Sequence, residues 1–264
     1  MIEFWERFSR NRSAVLGLFI LFVVIFIALV ASFLYPEDPF RLAGKPLSGP
    51  GLNGFLLGSD SLGRDVASGI AHGAKTSLLI GLIATIAAVF IGIIFGALSG
   101  YYGGRVDDLL MRITEIFQTI PSFVYLIPAV AFFSVGKPPG IIATVIFAMP
   151  PIVRLTALGI RQVPSEIKEA ALAFGSTERQ LLYSIELPLA LPTIMAGINQ
   201  VVMMCLSMVV IAALIGAGGM GLIVVEALAN TRIGRGILAG LAIAFIAMII
   251  DRVVQKASKQ DQKY

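Results

Sequence analysis

The sequence predicts an all-α, polytopic membrane protein with about six transmembrane helices, and two observations carry this prediction. Hydrophobic residues make up 57% of the 264 residues and charged residues only 14%, with a mean hydropathy of +0.90. Soluble domains carry about 25% charged residues, so this supply of charge cannot cover a water-soluble surface. The charges are also unevenly spread and leave uncharged windows longer than 20 residues, as in membrane-spanning chains. This composition argues against the soluble enzyme classes.

Six apolar stretches are the predicted membrane spans. They cover residues 14–34, 76–100, 113–135, 141–158, 191–215 and 237–250. The first stretch is interpreted as a retained helix, because it is longer than the core of a usual cleaved signal and no small-residue cleavage site follows it. In the second stretch, Gly92, Gly96 and Gly100 form a row of small residues that lets another helix approach closely.

The distribution of lysine and arginine favours an orientation with both termini in the cytoplasm. With six spans and the N-terminus inside, 13 basic residues lie on the cytoplasmic side, among them Arg7, Arg10, Lys259 and Lys263, and seven lie outside. By the positive-inside rule, this predicts a multi-pass protein of the cytoplasmic (inner) membrane in that orientation. The predicted organisation is a cytoplasmic tail, first span and extracellular loop over residues 1–75, a membrane domain over 76–255, and a cytoplasmic tail over 256–264.

The predicted extracellular loop, residues 35–75, is rich in Gly, Pro and Ser and contains the acidic pair Glu37 and Asp38. It has too few apolar residues in periodic order to form an independent domain, so docking of a partner is its expected role. His72, just before the second span, is expected to be a solvated residue at the end of this loop.

Metal, cofactor and nucleic-acid sites are not expected in this chain. The single cysteine, Cys205, cannot form an internal disulfide or a cysteine-based metal site, and a single histidine argues against a histidine-rich one. Residues 216–221 satisfy G-x-G-x-x-G, but they follow an apolar stretch and lack the acid that a dinucleotide site needs, so they are interpreted as a tight turn. The motif G-x-x-x-x-G-K-[ST] does not occur, and the basic residues sit at membrane edges rather than in a nucleic-acid patch.

The polar stretch between the fourth and fifth spans is the most informative part of the sequence. Pro164 or Ser165 begins a helix, Gly175 ends it, and Ser176 or Thr177 caps a second helix. Two short helices joined by a glycine turn are therefore predicted on the cytoplasmic side. Alanines near the end of the first helix give it a shallow surface that another protein could approach, and an ordinary interhelical loop is the alternative.

The same stretch carries a spaced pattern, which is E-A-A, three residues, G, nine residues, and I-x-L-P. Its members are Glu169, Ala170, Ala171, Gly175, Ile185, Leu187 and Pro188, and every spacing is kept. In this pattern the chain resembles the permease subunits of binding-protein-dependent ABC importers, which implies the type I importer permease fold. The resemblance also implies that residues near 164–183 contain a coupling helix that sits in a cleft of an ATPase subunit.

The resemblance further implies the other members of a transport complex. ABC ATPase subunits would use ATP and Mg²⁺, while this chain would be a non-catalytic subunit that binds no cofactor directly. A second permease subunit, identical or homologous, would complete the pathway, and an extracytoplasmic solute-binding protein would deliver the solute. The alternatives are an ABC exporter-type permease, a structural membrane protein, or a secondary transporter not coupled to ATP, which the absence of charges deep in the predicted spans disfavours.

Two parts of the chain resemble different subfamilies. Up to about Gln118 the sequence is similar to C-type permeases of dipeptide, oligopeptide and nickel importers, notably in the run 57–66. From about Pro121 to Gln255 it is similar to permeases of glycine betaine, proline and choline importers, notably in the run 187–197. The implied substrate is therefore either a quaternary amine or proline-type osmolyte, or a di- or oligopeptide.

Four residues of the fifth span are candidates for the solute pathway: Asn199, Gln200, Met203 and Ser207. Helical spacing puts Asn199, Met203 and Ser207 on one face, with Gln200 beside it. Polar groups in an apolar span face either protein or a water-filled cavity, so hydrogen bonding between helices is an equal alternative.

Overall fold

The structure is a computed structural model that describes residues 12–258, and this part of the chain contains helices and loops but no strand. The helices are α1 Arg12–Leu34, α2 Val66–Tyr102, α3 Gly104–Thr119, α4 Leu126–Phe133, α5 Lys137–Arg161, α6 Ser165–Ala173, α7 Glu178–Leu181, α8 Leu187–Ala212, α9 Met220–Ala229 and α10 Ile233–Ser258. Short 3₁₀ turns at Ser122–Tyr125 and Ala213–Ile215 and a π-helical turn at Leu182–Glu186 connect some of them. The predicted all-α fold class is confirmed.

Within residues 12–258, three helical runs are long and apolar enough to cross a membrane. They are α2, α5 and the run Glu178–Ile215 that contains α8. A fourth span is present if α3 and residues 122–133 are counted as one bent crossing. The first and sixth predicted stretches are also helical, within α1 and α10. A total of six crossings stays a prediction.

The third predicted span, 113–135, is wrong as a single helix. α3 ends at Thr119, and the chain bends by 101° before it continues as helix from Ser122. Pro121 explains the break, because proline lacks an amide donor and drives the preceding residue, Ile120, into an extended conformation (φ −78°, ψ 127°). α3 itself is amphipathic, which is typical of a helix at a membrane surface rather than across it.

The second span begins at Val66 rather than at residue 76, so the outer loop is shorter than predicted and covers residues 35–65. The carboxylate of Asp65 caps the start of this helix by accepting a hydrogen bond from the amide of Ala67 at 2.8 Å. His72 consequently lies inside α2 and not at the end of a loop. Its Nε2 lies 2.9 Å from the carbonyl oxygen of Tyr35.

The last helix also extends further than predicted. α10 continues to Ser258, so the predicted boundary of the C-terminal tail at residue 256 falls inside a helix. Four basic residues used for the orientation, Arg7, Arg10, Lys259 and Lys263, lie outside the described residues.

The predicted row of small residues on α2 packs against α5. A Cβ atom added at Gly96 would lie 2.5 Å from Cβ of Thr156, which is closer than real Cβ contacts. One turn further along α5, a Cβ atom at Gly159 would lie 3.1 Å from Cβ of Ala190 in α8. Because glycine permits this approach, α2, α5 and α8 form the tightly packed centre of the protein.

Helix α1 lies at the periphery of this centre. Its Ala28 shares a small buried cluster with Ala74 of α2, Met220 of α9 and Ile246 of α10. The central cluster of α2, α5 and α8 contains no described residue of α1. Helix α1 therefore packs against the outside of the bundle, and its described residues are not part of the central cluster.

The outer loop is held by hydrogen bonds within itself and by an ion pair with α9, in the C-terminal part of the chain. The amide of Ser59 donates to the carbonyl oxygen of Ser48 at 3.0 Å, and its hydroxyl donates to the carbonyl oxygen of Lys45 at 2.6 Å. At the end of the loop, Arg64 Nη1 lies 3.2 Å from Glu226 Oε1 of α9. A cavity of about 510 Å³ opens between this loop, α9 and α10.

The tight turn predicted for the glycine-rich run after the fifth span is confirmed. Gly216, Gly218 and Gly219 have φ of +75°, +76° and +80°, values that favour glycine. The turn lies against α2, where the hydroxyl of Ser77 accepts a hydrogen bond from the amide of Met220 at 2.9 Å.

Candidate functional site

The predicted helix–turn–helix between α5 and α8 is present in detail. α6 begins at Ser165, directly after Pro164, and Gly175 has a φ of +86° in the turn that follows it. Thr177 caps α7 in a capping box with Gln180, whose side chain accepts a hydrogen bond from the Thr177 amide at 2.8 Å. The local start, stop and cap signals were therefore sufficient to predict this segment.

This segment leaves apolar side chains uncovered. No residue of α6 is buried, and Ile167, Leu172 and Phe174 are 41%, 48% and 92% exposed. Glu169 and Ala170 are also exposed. Clustered apolar residues on a polar, surface-exposed segment are typical of a surface that another protein covers.

Gly175 combines a left-handed backbone with open space. A Cβ atom added there would meet nothing within 4 Å, so the position restricts the residue by its backbone and not by crowding. The carbonyl oxygens of Ala171 and Leu172 accept hydrogen bonds from the amides of Ser176 and Gly175 at 3.0 and 2.9 Å, which closes the helix end.

The second half of the spaced pattern lies at the start of α8 and not on α6. Ile185 and Leu187 are half-buried, and Leu187 packs against the central cluster. Pro188 lies in the first turn of α8, directly after the π-helical turn Leu182–Glu186. The E-A-A part thus faces outward, while the I-x-L-P part joins the segment to a span.

Two residues that sequence reasoning did not single out connect α6 to the spans. Lys168 Nζ lies 2.7 Å from Glu186 Oε1 and 3.4 Å from the carbonyl oxygen of Ile160, near the end of α5. The Glu186 side chain is only 4% exposed. Glu186 occupies the x of I-x-L-P, and the π-helical turn that contains it gave no signal in the sequence.

A second polar cluster joins the ends of α2, α3 and α5. Asp107 of α3 accepts a hydrogen bond from the hydroxyl of Ser99 at 2.5 Å and forms an ion pair with Arg161, the last residue of α5. The hydroxyl of Tyr101, near the end of α2, donates to Glu178 Oε2 of α7 at 3.1 Å. The helix ends that surround the segment are therefore fixed to one another by side chains far apart in sequence.

The structure separates the four pathway candidates. Asn199 Nδ2 donates to Asp251 Oδ1 of α10 at 2.7 Å, which is the helix–helix alternative. The hydroxyl of Ser207 donates to the carbonyl oxygen of Met203 at 3.0 Å, within its own helix. Gln200 and Ser207 are exposed and Met203 is half-buried. A pathway role for all four stays a prediction.

The described residues include no group of three or more His, Cys, Asp or Glu side chains placed to hold a metal ion.

Family models match two parts of the chain. One, described as the binding-protein-dependent transport system inner membrane component, matches residues 89–257. Another, described as the N-terminal TM domain of oligopeptide transport permease C, matches residues 1–48.

Known permeases align with the chain at two levels of identity. The glycine betaine transport system permease protein OpuAB of Bacillus subtilis is 47% identical over 66% of this chain and 63% of its own length. The di/tripeptide transport system permease protein DppC of Pseudomonas aeruginosa is 32% identical over 83% of this chain and 74% of its own length. The chain spans 55–63% of the length of the glycine betaine permeases that it matches most strongly.

A solved structure has the same fold. A chain of the MetNI methionine ABC transporter, captured in an inward-facing conformation, aligns with a TM-score of 0.62 and 21% identity over 73% of this chain and 94% of that chain.

Proposed function

The chain belongs to the family of binding-protein-dependent transport system inner membrane components, and from this premise we propose that it is the transmembrane permease subunit of an ATP-driven ABC importer. One observation carries the proposal: the uncovered α6, with Glu169 and Ala170 of the spaced pattern and Gly175 in the turn after it, connects two tightly packed spans. A surface of this kind suits a partner that pushes on the spans from the cytoplasm.

The partners proposed for this surface are ATPase subunits. They bind and hydrolyse ATP with Mg²⁺, whereas this permease makes and breaks no covalent bond. A second permease subunit, identical or homologous, forms the other wall of the pathway, and an extracytoplasmic binding protein delivers the solute to the outer mouth. Both termini lie in the cytoplasm in this arrangement.

The packing of the spans supports transmission of movement from α6. Gly159 of α5 and Ala190 of α8 touch closely on the cytoplasmic side, so a displacement of the segment between them moves two helices together. Because cores are close-packed and resist compression, such a shift passes along the helices to the pathway instead of being absorbed. Alternating access then follows closure and opening of the ATPase pair.

The proposed solute is a small quaternary amine or a proline-type osmolyte. Support comes from identity, since a permease named for glycine betaine is 47% identical and one named for di- and tripeptides is 32% identical. A di- or oligopeptide is the second candidate, favoured by the match of residues 1–48 to an oligopeptide permease segment.

The test is reconstitution of the chain with its ATPase and binding protein in lipid vesicles. We expect ATP-dependent accumulation of labelled glycine betaine that survives an uncoupler and needs the binding protein. Uptake of a dipeptide in place of glycine betaine would favour the second candidate substrate, a di- or oligopeptide. Uptake that collapses with the uncoupler while ATP remains would favour a secondary transporter, and export of solute would favour an exporter-type permease.

A further inference from the structure

Within the described structure, one side chain of α6 makes polar contacts with the ends of the membrane-spanning helices. Among the described residues, the only side-chain hydrogen bonds or ion pairs of α6 come from Lys168. Its ammonium group reaches two places at once, the carboxylate of Glu186 just before α8 and the carbonyl oxygen of Ile160 at the end of α5. A single positive charge thus lies at the junction of both spans.

We propose that Lys168 and Glu186 form a latch that transmits the movement of α6 to α5 and α8, so that Lys168 is a positioning residue of transport. The inference rests on the proposed function and adds to it the residue pair through which the two spans follow the coupling helix. It concerns the link inside the permease and not the surface that meets the ATPase.

Burial makes this contact costly to break. The Glu186 side chain is 4% exposed and that of Lys168 is 27% exposed. The second carboxylate oxygen of Glu186 is buried and makes no hydrogen bond within the described structure. Lys168 is therefore the neutralising partner of a buried negative charge, and such a charge is costly to leave alone.

The position of the contact also suits transmission. The carbonyl oxygen of Ile160 belongs to the last turn of α5, where the helix dipole is negative and attracts a cation. Glu186 ends the π-helical turn that leads into α8, and π-helical turns frequently occur at functional sites. A partner that binds the exposed apolar residues of α6 can then displace this helix, and Lys168 transmits the displacement to α5 and α8.

The test replaces Lys168 and then restores its charge chemically. In Lys168→Cys, we expect the ATPase subunit to remain bound and to hydrolyse ATP, while uptake per ATP hydrolysed falls about tenfold, an effect within the coupling range of contacting residues. Treatment with 2-aminoethyl methanethiosulfonate rebuilds a lysine-like cation on the cysteine and should recover most of the uptake. Methyl methanethiosulfonate attaches a neutral group by the same reaction and should not.

Matched variants control for the reagent and for folding. Gln118→Cys, exposed on α3 and outside the proposed docking surface, should transport normally before and after treatment, as should the parent, whose Cys205 is buried. Lys168→Arg keeps the charge and should retain most of the uptake, whereas Glu186→Gln should uncouple partially, because its amide still accepts a hydrogen bond from Lys168.

The outcomes separate the latch from the proposed function. Absence of ATP-driven uptake in the parent complex would reject the function before any substitution is made. Normal uptake by Lys168→Cys, or equal rescue by the neutral and cationic reagents, would overturn the latch alone. Loss of the ATPase subunit from both Lys168→Cys and Glu186→Gln would also overturn it, because the pair would then be a docking or folding contact.

Discussion

Replacing Gly175 with valine tests the backbone of the turn between α6 and α7. The glycine has a φ of +86°, and a Cβ atom there would meet nothing within 4 Å, so the penalty of adding a Cβ arises in the backbone. A left-handed conformation costs an L-residue about 1–2 kcal/mol, and valine is among the residues that tolerate it least. Since about 1.4 kcal/mol is a factor of ten, the equilibrium constant for forming the correct turn falls about five- to thirtyfold.

The assay compares Gly175→Val with Gly175→Asn in reconstituted vesicles. Like valine, asparagine adds a side chain that extends beyond Cβ, but asparagine visits the left-handed region readily. We expect valine to lower ATP-driven uptake and ATPase pull-down severalfold, while asparagine stays close to the parent and both variants insert normally. Equal uptake by the Gly175→Val and Gly175→Asn variants would refute the reasoning, because the left-handed backbone at residue 175 would then have no effect on transport.

Three further predictions address docking, packing and orientation. Glu169→Lys reverses an exposed charge on α6, so it should leave the protein inserted but abolish ATPase pull-down and uptake; normal pull-down would remove Glu169 from the docking surface. Gly96→Val should lower the free energy of unfolding of the detergent-solubilised protein by about 1–3 kcal/mol through overpacking against α5. Gly69→Ala, whose added Cβ meets nothing within 4 Å, should be neutral, and an equal loss in both variants would contradict the close contact at Gly96. A cysteine at Leu42 should react with an impermeant thiol reagent from outside, and one at Phe174 only after permeabilisation; the reverse order would invert the topology.

The features that the sequence predicted well are those with local causes. The start of α6, the glycine turn and the cap by Thr177 each depend on residues within a few positions, and the structure contains all three. The same holds for the row of small residues, of which Gly96 packs closely against Thr156 of α5. Hydropathy located the apolar helices but did not fix their ends, which depend on caps such as Asp65.

The features that the sequence did not predict depend on contacts between distant residues or on a break hidden by hydrophobicity. Apolar residues continue on both sides of Pro121, so a hydropathy window that spans this residue has a high mean and does not reveal the bend. Asn199 turns to Asp251, 52 residues away, and Lys168 meets Glu186 across two helices. The rotation of each helix about its axis decides such pairs, and helical spacing within one segment cannot supply it.

The peripheral place of α1 bears on whether this helix can be exchanged. Since the described part of α1 contributes nothing to the central cluster, an exchange of the first helix and its outer loop leaves the packing of α2, α5 and α8 intact. Such an exchange must preserve the small cluster around Ala28, the contacts of Tyr35 with His72 and of Ser32 with Lys75, and the bond of Arg64 to Glu226. The N-terminal helix and its outer loop are thus an attachment to the periphery of the bundle, whose replacement leaves the central packing unchanged.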